Sequence, residues 1–451
     1  MNVNNESLVI TMRGRPLATF FIVFLFVALT VGCSPGGSAS PDSSGADEGK
    51  LPAEEHEQTQ MNPPQSPGQP GHPPAGTGGE EGTDDDPLAK RISSMTLDEK
   101  IGQMFLVGMD GVTTNAQTEK MIKTFRIGGF ILFAKNMTDG EQANRLLNSL
   151  KATNLAANSA PLFLAVDEEG GRVSRLPSEF VKIPSSGEIG EVNHAGFARE
   201  IGKLQAKRIT SLGFNLNFAP VLDVQSNPDN PVIGDRSFGD NAEKVGELGV
   251  AEMRGLREEG VIPVMKHFPG HGDTSVDSHV GLPVVEHDLN RLMRLELVPF
   301  MRAIEHGADA VMAAHILLPK LDGKHPASLS PAVLTGLLRN ELHFGGVIIT
   351  DDMTMGAITS SYEMTEAVVQ AVQAGSDIVL IAHDFKRQTA AIGALKRAVE
   401  RGIVTEERID ESVYRILRLK EKYNLSDSPK KYSGPDETNE AVRRLLGEYM
   451  G

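Results

Sequence analysis

The sequence predicts an α/β fold, a (β/α)8 TIM-type barrel in a single domain. Three observations predict it. About eight apolar runs alternate with amphipathic stretches over roughly 340 residues, the count and length of a (β/α)8 domain. The runs are continuous rather than alternating, as in strands buried on both faces of a parallel sheet. Polar and titratable residues cluster just after the runs, where the functional rim of such a barrel lies.

In chain order the candidate strands are Phe105–Gly108, Gly129–Ala134, Leu162–Val166 and Asn215–Asp223, then Val261–Lys266, Ala308–Ala313, Gly346–Thr350 and Asp377–Ile381. Candidate helices between them include Glu191–Leu212, Ala242–Glu259, Leu289–His306 and Tyr362–Ala374. Thr96-Leu97-Asp98-Glu99 reads as a capping box, followed by Ile101, Met104 and Phe105 at helical spacing. Val404–Lys422 reads as a last amphipathic helix. The 426–451 tail is polar, with one helical candidate at Asn439–Tyr449. The domain is expected over 87–425, with no room for a second large one. An open doubly wound sheet is the alternative that periodicity leaves standing.

The N-terminal part differs in composition. Arg13 and Arg15 precede an apolar run from Leu17 to Val31, which ends on Gly32-Cys33-Ser34. A basic start, a short apolar core and a small residue before the break are the parts of an export signal. The run is short for a membrane span, which needs about 20 residues. Its end resembles a bacterial lipobox, with Thr30 where that motif usually has Leu. Residues 1–33 are thus expected to be a lipoprotein signal peptide with Cys33 as the lipidated residue; an uncleaved signal anchor is the alternative. Residues 34–86 are Ser, Gly, Pro, Glu and Asp with almost no large apolar side chain, a composition expected to remain a disordered tether. Both readings of the leader place the protein outside the cytoplasm, anchored to a membrane.

Composition narrows the partners. The 451 residues carry a formal net charge of −16, which leaves no electrostatic footprint for nucleic acid. There is no Trp, and aromatic residues make up 5%, so stacking platforms for long polysaccharides are sparse. The single cysteine, Cys33, excludes an intramolecular disulfide. A monomer is expected.

The densest chemistry lies in Lys266-His267-Phe268-Pro269-Gly270-His271-Gly272-Asp273-Thr274-Ser275-Val276-Asp277-Ser278-His279, directly after a candidate strand. It holds three histidines, a lysine and two aspartates around a turn shaped by Pro269, Gly270 and Gly272. Other strand ends add Asn136, Asp167-Glu168-Glu169, Asp223, His315 and Asp351-Asp352. An Asp after a strand is often a helix cap; Asp352 is read as the cap and Asp351 as the reactive group. A buried carboxylate nucleophile with a separate proton donor is the equipment for cleaving a glycosidic bond in two displacements. Histidine serves as donor because its pKa lies near neutrality. Asp277, two residues before His279, is placed to orient that ring and favour its protonated form. A metal site from His267, His271, Asp273, Asp277 and His279 is the competing reading, but the spacing is unlike helical metal motifs.

The stretch from Lys266 to Thr274 with Asp277-Ser278-His279 resembles the signature of glycoside hydrolase family 3 β-N-acetylglucosaminidases, the NagZ-type branch in particular. Further matches are Met95 to Gln103, Ala165-Val166-Asp167 with Glu169-Gly170-Gly171-Arg172-Val173, Asn217 to Val224, Arg236-Ser237-Phe238 and Thr350-Asp351-Asp352-Met353. Together they span about Asp98 to Lys420. The resemblance implies a retaining mechanism on a (β/α)8 barrel. Asp351 would attack the anomeric carbon, and His279, paired with Asp277, would act as acid and then base. Asp167, Arg175, Arg236, Lys266 and His267 fall on positions that hold a terminal N-acetylglucosamine. No metal or organic cofactor is implied. Glu168 stands where relatives often carry Gln or His.

The expected function is a membrane-tethered exo-β-N-acetylglucosaminidase acting on peptidoglycan fragments. An acidic domain gains no steering toward anionic wall polymers, which favours small muropeptides. A β-glucosidase or a phosphorylase on the same fold, and a non-catalytic sugar-binding lipoprotein, are the alternatives.

Overall fold

Eight short strands carry the architecture: β1 (Phe105–Gly108), β2 (Gly129–Ile131), β3 (Phe163–Val166), β4 (Leu216–Asn217), β5 (Ile262–Phe268), β6 (Ala310–Ala313), β7 (Val347–Thr350) and β8 (Val379–Ile381). The structure, a computed structural model, describes residues 86–278 and 280–451. The 1–33 leader with Cys33, residues 34–85 of the expected tether, and His279 lie outside the described residues.

The sheet runs β8-β1-β2-β3-β4-β5-β6-β7 with every ladder parallel. Register is set by pairs such as Phe105↔Val379, Leu106↔Gly129, Leu216↔Ile262 and Ala310↔Val347. A parallel bridge between Ile349 and Ile378 joins β7 to β8. The Thr350 N–H donates to Ile378 O (3.0 Å) and the Met353 N–H to Leu380 O (2.9 Å), so the sheet closes on itself as a (β/α)8 barrel. Every residue of the eight strands is buried. One face fills the barrel and the other lies under the helices, which is why the strands read as unbroken apolar runs.

Local chemistry accounts for the departures from the sequence reading. The expected helix Leu289–His306 is two helices, Leu289–Arg294 and Val298–Glu305. Pro299 lacks an N–H and is accommodated only in a first turn, so a new helix starts there. The expected helix Glu191–Leu212 divides likewise. Asn193 at φ 49° caps Ser186–Val192, and His194 Nδ1 accepts from the Phe197 N–H (3.1 Å) to start Ala195–Leu212. The fourth strand is far shorter than Asn215–Asp223. Beyond it Pro220 offers no donor, yet its carbonyl still accepts from the Lys266 N–H (3.2 Å), so pairing with β5 continues irregularly. The Thr96 capping box forms as read, with the Glu99 carboxylate accepting from the Thr96 N–H (2.9 Å).

The 426–451 segment is packed against the barrel's helices. The Asp427 carboxylate accepts from Asn154 Nδ2 (2.6 Å) and the Leu162 N–H (3.2 Å). Asn439 exchanges bonds with the backbone of Val181 and Glu179 (2.7 Å each). In the helix Asp436–Tyr449, Val442 is fully buried and the Tyr449 ring stacks on Phe197 at 4.9 Å. A polar composition conceals a narrow apolar stripe, Ala441, Val442, Leu445, Leu446 and Tyr449, at helical spacing.

Candidate active site

All the strands end on one rim, and a cavity of about 540 Å³ opens there. That volume suits one or two sugar rings rather than a long polymer. Its walls include Asp167 after β3, Arg175 and Arg236 from the following loops, Lys266 and His267 in β5, Asp277 beyond β5, and Asp351 after β7. Seven of the eight residues assigned above to catalysis or sugar binding therefore meet around one space. The eighth, His279, lies outside the described residues.

The deep end is an ion-pair lattice. Lys266 Nζ donates to Asp167 Oδ1 (2.7 Å) and lies 2.7 Å from Glu169 Oε1. Arg236 grips Glu169 with two parallel bonds, Nε to Oε2 and Nη2 to Oε1, both 2.8 Å. This fork geometry fixes direction as well as charge. Burial works to raise the Glu169 pKa, but Arg236 and Lys266 outweigh it and hold the carboxylate well below its ordinary range. Burial likewise works to lower the Lys266 pKa, and Asp167 and Glu169 overcome it, so the ammonium stays charged. The result is a set of fixed donors and acceptors, of the kind that distinguishes one pattern of hydroxyls from another.

His267 stands beside this lattice. Its Nδ1 donates to Asp223 Oδ2 (2.6 Å), and its Nε2 lies 3.4 Å from Arg236 Nη2. Asp223, fully buried, also accepts from the backbone N–H groups of His267 (3.2 Å) and His271 (2.6 Å) through Oδ1. It therefore orients His267 and the turn after β5 together. That turn needs its glycines. Gly270 has φ 124°, and a Cβ on Gly272 would meet Val224 O at 1.7 Å.

Asp351, after β7, lines the same cavity. Its Oδ1 accepts from the Asp352 N–H (2.7 Å), and its own N–H donates to Ala313 O (2.9 Å). Burial works to raise its pKa; His315, His267, the Asp352 N–H and Lys266 outweigh it and hold the group ionised. Asp352 has a different task. Its Oδ1 accepts from the Thr354 N–H (3.0 Å) and the Ala382 N–H (2.9 Å), and its Oδ2 from Thr354 Oγ1 (2.5 Å). It ties the loop after β7 to the end of β8. His315 lies fully buried behind Asp351, with Nδ1 2.6 Å from Ser328 Oγ and Nε2 3.1 Å from Asp352 O. Burial lowers its pKa.

Several strand-end residues turn elsewhere. Asn136 is buried, accepting from the Phe133 N–H (2.9 Å) and donating to Met109 O and Gly111 O. Glu168 points away from the cavity, accepting from Ser174 Oγ (2.9 Å) and the Arg175 N–H (3.0 Å), with Arg208 Nη1 at 3.4 Å. It shapes the loop carrying Arg175 rather than touching a ligand. Glu169 is the residue that sequence reasoning gave no role. In an extended segment alternate residues share a side, so Asp167 and Glu169 face the cavity while Glu168 faces away; that alternation was the available signal. Phe133 and His383, stacked at 5.2 Å, form part of the more exposed end. Among the described residues of the motif, His267 turns to Asp223, His271 to Thr274 and Ser278, and Asp273 to His287.

Comparison with known proteins agrees with the barrel fold. The model of the glycosyl hydrolase family 3 N-terminal domain matches residues 96–419. A protein named beta-hexosaminidase A from Pseudoalteromonas piscicida is 36% identical over 359 residues, 74% of this chain; the chain spans only 60% of that relative's length. The beta-hexosaminidase LpqI of Mycobacterium tuberculosis is 33% identical over 89% of this chain and 97% of its own. Among solved structures, a glycoside hydrolase family 3 beta-N-acetylglucosaminidase from Paenibacillus sp. superposes with a TM-score of 0.75 at 42% identity, covering 79% of this chain and 69% of that one. A closed parallel barrel with a buried ion-pair lattice at its rim, and a family match over most of the described residues, lead to one assignment: the chain belongs to glycosyl hydrolase family 3, a family of glycoside hydrolases.

Proposed function

We propose that the protein is a retaining exo-β-N-acetylglucosaminidase that removes terminal N-acetylglucosamine from peptidoglycan fragments. The observation that carries this reading is the position of Asp351: ionised, anchored through Oδ1, and lining one cavity with Asp167, Lys266, Arg236 and His267. With Oδ1 held by the Asp352 N–H, Oδ2 is the oxygen free to attack.

In the first step the sugar's hydroxyls bind the lattice and the Asp351 carboxylate attacks the anomeric carbon. The bond to the leaving oxygen breaks as His279 delivers a proton to that oxygen. In the second step His279 takes a proton from water, whose oxygen displaces Asp351 and restores the β configuration. Asp277 lines the same cavity as Asp351, which supports a role for the motif loop in this chemistry. The His279 role rests on its place in the Asp277-Ser278-His279 motif, and the substrate class on the names of the relatives. Lipidation at Cys33, with the 34–86 stretch as tether, would hold the domain at the outer face of a membrane. Loss of membrane association in Cys33→Ala is the check on that anchor.

The direct test uses the purified protein on aryl β-N-acetylglucosaminide and aryl β-glucoside, with and without phosphate. The expected result is a strong preference for the acetamido sugar and free N-acetylglucosamine as product. Release of a sugar phosphate would assign phosphorolysis instead. No turnover of either glycoside by folded protein would assign a binding protein.

A further inference from the structure

One buried side chain in the motif loop has no part in the scheme above. His271 is 1% exposed and lies at the cavity wall, edge-on to His267 at 5.8 Å between ring centres. Its ring spans two hydroxyls, with Nδ1 2.8 Å from Thr274 Oγ1 and Nε2 3.1 Å from Ser278 Oγ. Burial, reinforced by His267, pushes its pKa down to about 4, so the ring is neutral near neutral pH. One nitrogen then donates and the other accepts, and hydroxyls satisfy either tautomer. Ser278 is 2% exposed, and its carbonyl accepts from the Ala357 N–H (3.0 Å), in the short helix Gly356–Thr359 beyond Asp351. A continuous chain of bonds thus runs from Thr274 through His271 and Ser278 to the loop that carries Asp351.

We propose that His271 is a positioning residue for the proton transfers: acting through the Ser278 hydroxyl, its imidazole sets where Ser278, and with it Asp277, stands relative to Asp351. The inference rests on reading His279 as the acid/base. Ser278 is covalently joined to both neighbours, so any shift of Ser278 is passed to them. The side chain acts separately from the backbone at this position. The His271 N–H goes to Asp223 (2.6 Å) and remains when the ring is removed, so His267 keeps its orientation.

The test compares His271→Ala, Ser278→Ala, the double variant and His279→Ala. The readout is kcat/KM, which covers the steps through formation of the glycosyl-enzyme, on an N-acetylglucosamine disaccharide and on its dinitrophenyl glycoside. Misplacing a proton donor by about 1 Å costs on the order of 100-fold where a proton is needed. His271→Ala and Ser278→Ala are each expected to lose about 10- to 100-fold on the disaccharide. On the dinitrophenyl glycoside, whose leaving group needs no proton, the loss is expected to stay under about fivefold. The double variant should be no worse than the poorer single one, because the two residues act as a unit. Equal losses on both substrates, or additive losses in the double variant, would overturn the inference. If His279→Ala itself shows no dependence on the leaving group, the acid/base reading fails and the inference falls with it. If His279→Ala shows that dependence and the other two variants do not, only the positioning role is lost. Should His271→Ala fail to fold, Ser278→Ala, which removes a single hydroxyl, decides the matter alone.

Discussion

Asp351→Asn is expected to lower kcat/KM by about 10⁴-fold or more, on activated and unactivated glycosides alike. The uniformity follows from its role. A nucleophile is needed whatever the leaving group, whereas a proton donor is needed only for poor ones. The fold should be unaffected. The asparagine Oδ1 still accepts from the Asp352 N–H, now 2.7 Å from the carboxylate, and the Asp351 N–H keeps its bond to Ala313 O. Because the surrounding groups outweigh burial in holding Asp351 ionised, removing the charge should lower the melting temperature, but only slightly. Kinetics and thermal denaturation on the same preparation check both parts. A variant that melts far earlier and loses activity only in proportion would point to a structural carboxylate.

Glu169→Gln is the second large effect, and here activity and stability fall together. Glu169 carries both Arg236 and Lys266, whose side chains are 13% and 3% exposed. Gln keeps one acceptor but removes the charge, leaving Arg236 buried without its carboxylate. Breaking a buried pair on one side costs about 3–5 kcal/mol. Lys266 retains Asp167, which places the expected loss near the lower figure. Freed of its fork, Arg236 moves from the cavity wall, and kcat/KM should fall by about 100-fold or more, largely through KM. The pH dependence has a definite sign. The Glu169 pKa is depressed in the folded protein, so the carboxylate's contribution is present above its unfolded pKa of about 4.5 and lost as pH falls below it. Wild type should therefore lose stability in acid more steeply than Glu169→Gln. Parallel acid titrations would place the ion-pair lattice elsewhere.

Much of this arrangement was legible in the sequence. Strands such as Phe105–Gly108 are buried on both faces, so their apolar runs have sharp ends. The strand ends then locate the rim, and the rim locates Asp167, Lys266 and Asp351. What escaped depends on contacts between distant segments. Asp223 reads as one more acid after a strand; only in the fold does it hold His267 and the His271 N–H at once. Glu168 and Glu169 are chemically alike and adjacent, and the pleat alone sends one to Arg208 and the other to Arg236. The helix breaks at Asn193 and Pro299 were written in local capping chemistry that helical periodicity overrides. In the 426–451 segment the helical candidate at Asn439–Tyr449 forms as Asp436–Tyr449, but few apolar residues against many polar ones hid its docking on Phe197 through Tyr449.

The proposed mechanism requires Asp351 to become covalently bound to the sugar. A fluorinated N-acetylglucosaminyl donor with a very good leaving group forms the glycosyl-enzyme faster than water removes it. Proteolysis and mass spectrometry then locate the adduct. This mechanism gives a single adduct on the peptide containing Asp351-Asp352, with fragmentation placing it on Asp351. An adduct on Asp352, Asp277 or Glu169, or full turnover with no adduct at all, would contradict it.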